Sequence, residues 1–249
     1  MKNFNNYFGF TKLSSIEKKK KIMDIFTSIH KKYDLMNDIM SMGFHRLWKK
    51  TAIQMGNISP DDLILDLAGG TGDLSLNILK ILSNSGHIIL SDINEYMILE
   101  GRIRIENKGY ISNISYAIAD AESLPFAKNT FNTVLMAFGF RNIENKEKAL
   151  SSIFNVIKPG GCLIILEFSK LADSFIIKFL YNIYLSYIIP YLGKFIANNE
   201  KAYRYLSESI YQHPDQESLK NMMIKIGYKK VQYINLSKGI VSIHKGLVF

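Results

Sequence analysis

Cysteine is almost missing from this chain. The 249 residues hold one, Cys162, inside the apolar run "GCLIILEF", so no internal disulfide can form and the thiol reads as a small buried hydrophobe. That fits a reducing compartment. Arginine is scarce too: five of the 31 basic residues are Arg, and the net charge of +9 is carried by Lys beside abundant Ile and Asn. This pattern follows from a biased base composition and does not build the forked guanidinium face that phosphate recognition favours, so no nucleic-acid partner is expected. The five histidines lack i, i+4 pairing or a cysteine neighbour, and no metal centre is expected. The opening "MKNFNNYFGFTKLSS" has neither the apolar stretch nor the cleavage site of a signal peptide, which predicts a cytoplasmic protein.

Long uninterrupted apolar runs are absent as well. The longest candidate, residues 175 to 196, is broken by Lys178, Asn182, Pro190 and Lys194. A charge at the centre of a bilayer costs about 2.5 to 3.5 kcal/mol, so the segment reads as helices lying over a sheet and bordering the active site, not as a span. Peripheral contact with the inner face of a membrane stays open, as does homo-oligomerisation.

What is present is alternation. From residue 62 onward, short runs of branched apolar residues alternate with segments of helical period. Strands are predicted at 63 to 67, 87 to 92, 115 to 119, 132 to 138 and 162 to 168, with helices at 73 to 82, 94 to about 108 and 146 to 157 between them. Right-handed crossovers stack such units into an α/β, doubly wound, mostly parallel sheet whose ligands bind at the carboxyl ends of the strands. The tail differs: "KKVQYINL" and "KGIVSIHKGLVF" are joined by a turn at Ser237 to Gly239 with no helix between them, which predicts a C-terminal antiparallel hairpin. Dinucleotide dehydrogenase folds normally lack that hairpin, whereas most S-adenosylmethionine-dependent methyltransferases end with it. The chain is read as one domain: a helical cap (1–57), a cofactor-binding core (58–170), substrate-side helices (171–228) and the terminal hairpin (229–249). "KPGG", 158 to 161, is read as a turn before the fifth strand.

The turn Ala68-Gly69-Gly70-Thr71-Gly72 joins a strand to a helix, where glycines such as Gly70 let a ligand approach the backbone and helix N-H groups face it. Asp92, twenty residues after Gly72, closes the next strand, where a carboxylate can accept both hydroxyls of a ribose. Its other reading is the cap of a "DINE" capping box. Asp120, followed by Ala121 and Glu122, can accept an adenine amino group after the third strand. The turn itself is flanked by Asp66 and Asp73. Two carboxylates would repel a pyrophosphate by roughly a kcal/mol or more each, but favour the ammonium and sulfonium of S-adenosylmethionine. An NAD-dependent oxidoreductase, an RNA methyltransferase and a non-catalytic cofactor module are the competing readings.

The blocks "YDLMNDIMSMGFHRLWKK", "LDLAGGTGDL", "SDINEYMI", "AFGFRNIENKEKAL", "KPGGCLIILEFSK", "AYRYLSESIYQHPDQESL" and "GIVSIHKG", in that order from about residue 20 to the end, resemble the C-methyltransferases of ubiquinone and menaquinone biosynthesis. The resemblance implies transfer of a methyl group from S-adenosyl-L-methionine to a ring carbon of a polyprenylated quinol. It also implies cofactor contacts at Thr71, Asp92, Asp120 and Ala121, while Ala137 stands where many relatives carry a cofactor-contacting serine. Arg141 and Asn142, just past the fourth strand, are the candidate catalytic residues, for stabilising a phenolate or contacting the quinol oxygen directly or through water. His213, Asp215 and Tyr33 are second-line candidates.

Overall fold

The computed structural model describes residues 7–8, 11–12, 14–171 and 175–249. Three helices precede the sheet: Ser15–Ile29 (α1), Tyr33–Ser41 (α2) and Phe44–Gly56 (α3). The start of α1 is set by a capping box, in which the Ser14 side chain accepts from the Glu17 N-H and the Glu17 carboxylate accepts from the Ser14 N-H.

Seven strands follow: β1 (Leu63–Leu67), β2 (His87–Asp92), β3 (Ile114–Ile118), β4 (Phe131–Ala137), β5 (Ile157–Phe168), β6 (Lys229–Leu236) and β7 (Val241–Leu247). They form one sheet in the order β3-β2-β1-β4-β5-β7-β6, with β1 to β5 parallel and β7 antiparallel to both of its neighbours. The doubly wound reading and the terminal hairpin both stand. The "KPGG" turn, however, is absorbed into β5. Ile157 already pairs with Phe131 and the register shifts before Cys162 meets Thr133, an irregularity accommodated by Gly160 at φ +88°.

The alternation of two apolar faces is what allows burial on both sides. Ile64, Leu135, Cys162, Ile164 and Leu166 pack with α3 and with α4 (Asp73–Leu79) and α5 (Glu95–Glu106). Leu65, Val134, Met136, Leu163 and Ile165 point the other way, against α6 (Lys146–Val156) and the last helix of the chain. Between β5 and β6 run α7 (Phe175–Ile183), a π turn (Tyr184–Ile188), α8 (Ile189–Ala197), α9 (Glu200–Gln212) and that last helix, α10 (Gln216–Ile226). Pro190 has no N-H to return to the Ser186 carbonyl, so the helical ladder cannot continue in α register there, and the π turn lies just before it. A third apolar cluster, with Ile29, Met36, Leu185, Ile189, Tyr203 and Ile210 among its members, joins α1, α2, α8 and α9 above Phe168 at the carboxyl end of β5. Among the described residues no helix is long and apolar enough to cross a membrane.

Candidate functional site

The turn after β1 is built from backbone that ordinary side chains avoid. Ala68, Gly70 and Gly72 lie at φ +54°, +56° and +76°. A Cβ on Gly69 would stand 2.3 Å from Leu90 Cδ1 and 2.7 Å from Asp66 Cγ, so only glycine passes there. The Asp92 carboxylate ties the turn to the end of β2, accepting from the Gly70 N-H (3.0 Å) and the Asn94 N-H (2.9 Å). Burial raises its pKa and these N-H bonds oppose the rise. The capping-box reading of Asp92 is corrected here: Asn94 is the N-cap of α5, accepting from Tyr96 and Met97, and Asp92 is left to face the cavity.

That cavity opens at the carboxyl ends of β1 to β4. Gly70, Asp92, Asp120, Ala121 and Asn142 line it, together with Lys19, Met23 and Phe26 from α1. Five of the seven site residues read from the sequence therefore share one wall. Sequence reasoning missed Lys19, whose ammonium sits 2.8 Å from Asp120 Oδ2 and closes α1 down over the site. Burial alone would raise the Asp120 pKa, but Lys19 and the Glu122 N-H outweigh it and the carboxyl is held below its usual range.

Thr71 lines neither this cavity nor the next one; its hydroxyl donates to Asp34 Oδ1 (2.8 Å). Neither flanking aspartate lines either cavity, and Asp73 sits in the first turn of α4. Asp66 is fully buried and accepts from Ser75 N (3.0 Å) and Ser75 Oγ (2.6 Å), which locks β1 to α4. Burial pushes its pKa up to about 6, against the Ser75 bonds. Asp73 pairs with Lys49 (2.8 Å) and Arg104 (3.2 Å). Although burial opposes it, those cations hold the Asp73 carboxyl below its usual range.

A second, larger and apolar cavity adjoins the first; Phe26, Tyr33, Phe138 and Asn142 line both. Phe138 holds φ +58°, a conformation that costs a bulky residue roughly 1 to 3 kcal/mol and persists only where its surroundings impose it. The imposition is visible one residue on, where a Cβ on Gly139 would stand 2.6 Å from Ala68 Cβ. The cavity's far walls come from the inner faces of α7, the π turn and α9, including Tyr181, Tyr184, Leu185, Tyr203 and Tyr205. Among the described residues the hydroxyls of Tyr181 and Tyr203 are buried without a hydrogen-bond partner, so an apolar occupant carrying oxygen atoms suits the space.

Arg141 lines this second cavity and is 8% exposed. Its Nη1 donates to Glu167 Oε1 (2.9 Å) and to the Phe138 carbonyl, and its backbone N-H donates to Glu167 Oε2 (3.1 Å). The guanidinium carbon stands 5.5 Å from the centre of the Phe168 ring, and Nε is a buried donor with no partner among the described residues. Asn142 accepts at Oδ1 from the Tyr205 hydroxyl (3.1 Å). Glu167 and Tyr205, both inside quoted sequence blocks, were missed because nothing local tells which distant residue a buried carboxylate or phenol serves. Tyr33 lies between the cavities with its phenol pKa raised by burial. His213 and Asp215 line neither: His213 packs edge-on against Phe140 at 6.1 Å, its pKa driven well down by burial, and Asp215 caps α10 through Ser218 N (2.8 Å).

The profile of the ubiE/COQ5 methyltransferase family matches residues 14–248. The ubiquinone/menaquinone biosynthesis C-methyltransferase UbiE of Hydrogenovibrio crunogenus is 48% identical over 239 residues, covering 96% of this chain and 94% of that protein. The protein of the same name from Pasteurella multocida is 46% identical over 243 residues, covering 98% and 90%. Among solved structures, a SAM-dependent methyltransferase from Aquifex aeolicus superposes with a TM-score of 0.63 at 13% identity, covering 87% of this chain and 98% of that one. The Haemonchus contortus phosphoethanolamine N-methyltransferase 2 in complex with S-adenosyl-L-methionine gives 0.59 at 14% identity, covering 80% and 52%. These two likenesses concern the fold.

Proposed function

We propose, since the chain belongs to the ubiE/COQ5 methyltransferase family, that the joined cavities hold S-adenosylmethionine and a polyprenylated quinol, and that Arg141 and Asn142 act on the quinol oxygen. The protein is an S-adenosylmethionine-dependent C-methyltransferase of ubiquinone/menaquinone biosynthesis. The observation that carries the site assignment is the shared wall: two cavities meeting at Phe26, Tyr33, Phe138 and Asn142, one edged with carboxylates and the other apolar.

The residues present fit the cofactor. Gly70, at φ +56°, brings bare backbone to the cavity wall, Asp92 presents a carboxylate where a ribose diol can donate, and Asp120 with Ala121 offers an edge that an adenine can bind. Thr71 contributes through the turn it belongs to. When bound, S-adenosylmethionine supplies an electrophilic methyl group on a cationic sulfonium. Arg141 places a positive charge where the quinol oxygen would carry a developing negative one, which raises electron density at the neighbouring ring carbon. On this reading the phenolic proton would leave to water, Arg141 would hold the oxygen that becomes negative, and the neighbouring ring carbon would be the nucleophile toward that methyl group, its own proton passing to water. Phe138 and Tyr33, which line both cavities, would keep the quinol against the cofactor, and alignment of that kind is worth about 7 to 11 kcal/mol in well-oriented systems.

The outer face of the substrate helices supports a peripheral membrane contact. Phe179, Ile183, Tyr187, Tyr191 and Phe195 recur every fourth residue and are all exposed, while Tyr181, Tyr184 and Leu185 of the same stretch line the apolar cavity. A quinol whose tail partitions into a bilayer would enter through this wall.

Incubation with methyl-labelled S-adenosylmethionine and either demethylated benzoquinol or naphthoquinol, followed by identification of the labelled carbon, tests the reaction and its substrate. Arg141→Lys keeps a cation beside Glu167 but loses the fork. It should lower kcat by about 10²-fold or more while S-adenosylhomocysteine affinity, measured by calorimetry, is retained. Unchanged turnover would remove Arg141 from the mechanism.

A further inference from the structure

Of Arg141 and Asn142, the two residues proposed to act on the quinol oxygen, Asn142 alone lines both cavities, and its amide can face the quinol either as a donor or as an acceptor. The choice matters. A phenolate, or a phenol losing its proton, is stabilised by an N-H and repelled by a carbonyl oxygen. Nothing within the loop Phe140–Asn142 fixes the amide: the Asn142 backbone N-H is used by the Gly139 carbonyl, and the side-chain Nδ2 meets no acceptor among the described residues.

The fixing group comes from α9, sixty-three residues along the chain. The Tyr205 hydroxyl reaches Asn142 Oδ1 at 3.1 Å. Tyr205 is 5% exposed and its hydroxyl is the donor of this bond, while burial drives the phenol above its usual range and keeps that proton in place. With Oδ1 committed to that bond, the amide plane is set and Nδ2 is the atom left for the substrate. The ring of Tyr205 meanwhile forms part of the apolar wall, and α9 is anchored on either side of it by Tyr203 in the third apolar cluster and by the Ser207 hydroxyl on the Leu185 carbonyl.

We infer that Tyr205 is a positioning residue for methyl transfer: it holds the Asn142 amide so that Nδ2 donates to the quinol oxygen. This rests on the reading of Asn142 as a group that contacts substrate. Tyr205 lines the quinol cavity and not the cofactor cavity, so its removal should be felt in turnover and not in cofactor binding.

Tyr205→Phe keeps the ring and deletes the hydroxyl. Steady-state kinetics with demethylated quinol should show kcat reduced by about tenfold or more, with the KM for quinol changed by less than about threefold. S-adenosylhomocysteine affinity and the thermal unfolding midpoint should stay at the wild-type values. The deciding measurement is the double-mutant cycle with Asn142→Ala, a background in which Tyr205→Phe should cost nothing further. Full losses that multiply in the double variant, or a Tyr205→Phe enzyme with wild-type kcat, would overturn the role of Tyr205 while leaving Asn142 in place. Wild-type turnover in Asn142→Ala itself would instead overturn the reading on which both rest.

Discussion

Asp66, Asp73, Asp92 and Asp120 sit around the glycine turn, and what separates these four is the direction of each side chain. Asp92 and Asp120 line the cavity, whereas Asp66 is sealed beneath the turn and Asp73 is neutralised by Lys49 and Arg104. The burial of Asp66 carries a pH dependence whose sign can be worked out. Its folded pKa of about 6 lies above the usual carboxylate value, so between about pH 4 and 6 the native state binds the extra proton and stability falls as pH rises. Two units at about 1.4 kcal/mol each give about 3 kcal/mol by neutral pH. Asp66→Asn keeps an acceptor for Ser75 and removes the charge. Relative to wild type, the variant should therefore gain about 3 kcal/mol between pH 4 and pH 7.5 in denaturant titrations. Parallel stability curves for the two proteins would contradict this account. The sequence shows that Asp66 closes an apolar strand and so needs a partner; that the partner is Ser75, nine positions on, depends on how α4 docks.

At the scale of elements, most boundaries were legible because periodicity is a local property. β1 and β2 begin and end where the alternation does, and β3 and β4 are displaced by one residue. β5 was read too short because a Lys-Pro-Gly-Gly stretch signals a turn, and only pairing with β4 and β7 keeps it in the sheet. The contact between α8 and α9 was not legible at all. A Cβ on Gly193 would stand 2.2 Å from Tyr203 Cδ2 and 2.7 Å from Tyr203 Cβ, so the two helices touch through glycine. Gly193→Ala must push them apart at the wall of the apolar cavity, since the base of the Tyr203 ring cannot swing clear. Its expected signature is a KM for quinol raised about tenfold, with S-adenosylhomocysteine affinity unchanged and a lowered unfolding midpoint.

At the scale of the molecule, one sheet edge collects the chemistry and one helical layer covers it. The exposed stripe from Phe179 to Phe195 lies on the outside of that layer, beside Lys178 and Lys194 and with no acidic residue between 174 and 199. Such a face suits an anionic bilayer, to which basic residues add about 1 kcal/mol each near the surface. Vesicles containing anionic lipid should pellet the protein at low salt. Tyr191→Ser combined with Phe195→Ser should abolish that pelleting and leave turnover on a short-tailed quinol intact. Failure of the wild type to pellet at low salt would count against the contact, and a change in oligomeric state in the double variant would assign the stripe to a second copy of the chain. What the sequence determined by itself is what local pattern encodes: the order of strands and helices, the two apolar faces of the sheet, the glycine turn and the family blocks. Which groups meet at the site was decided only by the tertiary structure, where Lys19 closes on Asp120, Glu167 holds Arg141 and Tyr205 orients Asn142. Those partners lie between 26 and 101 residues apart, and a side chain's neighbours at such separations are set by how packed layers dock, which no local period records.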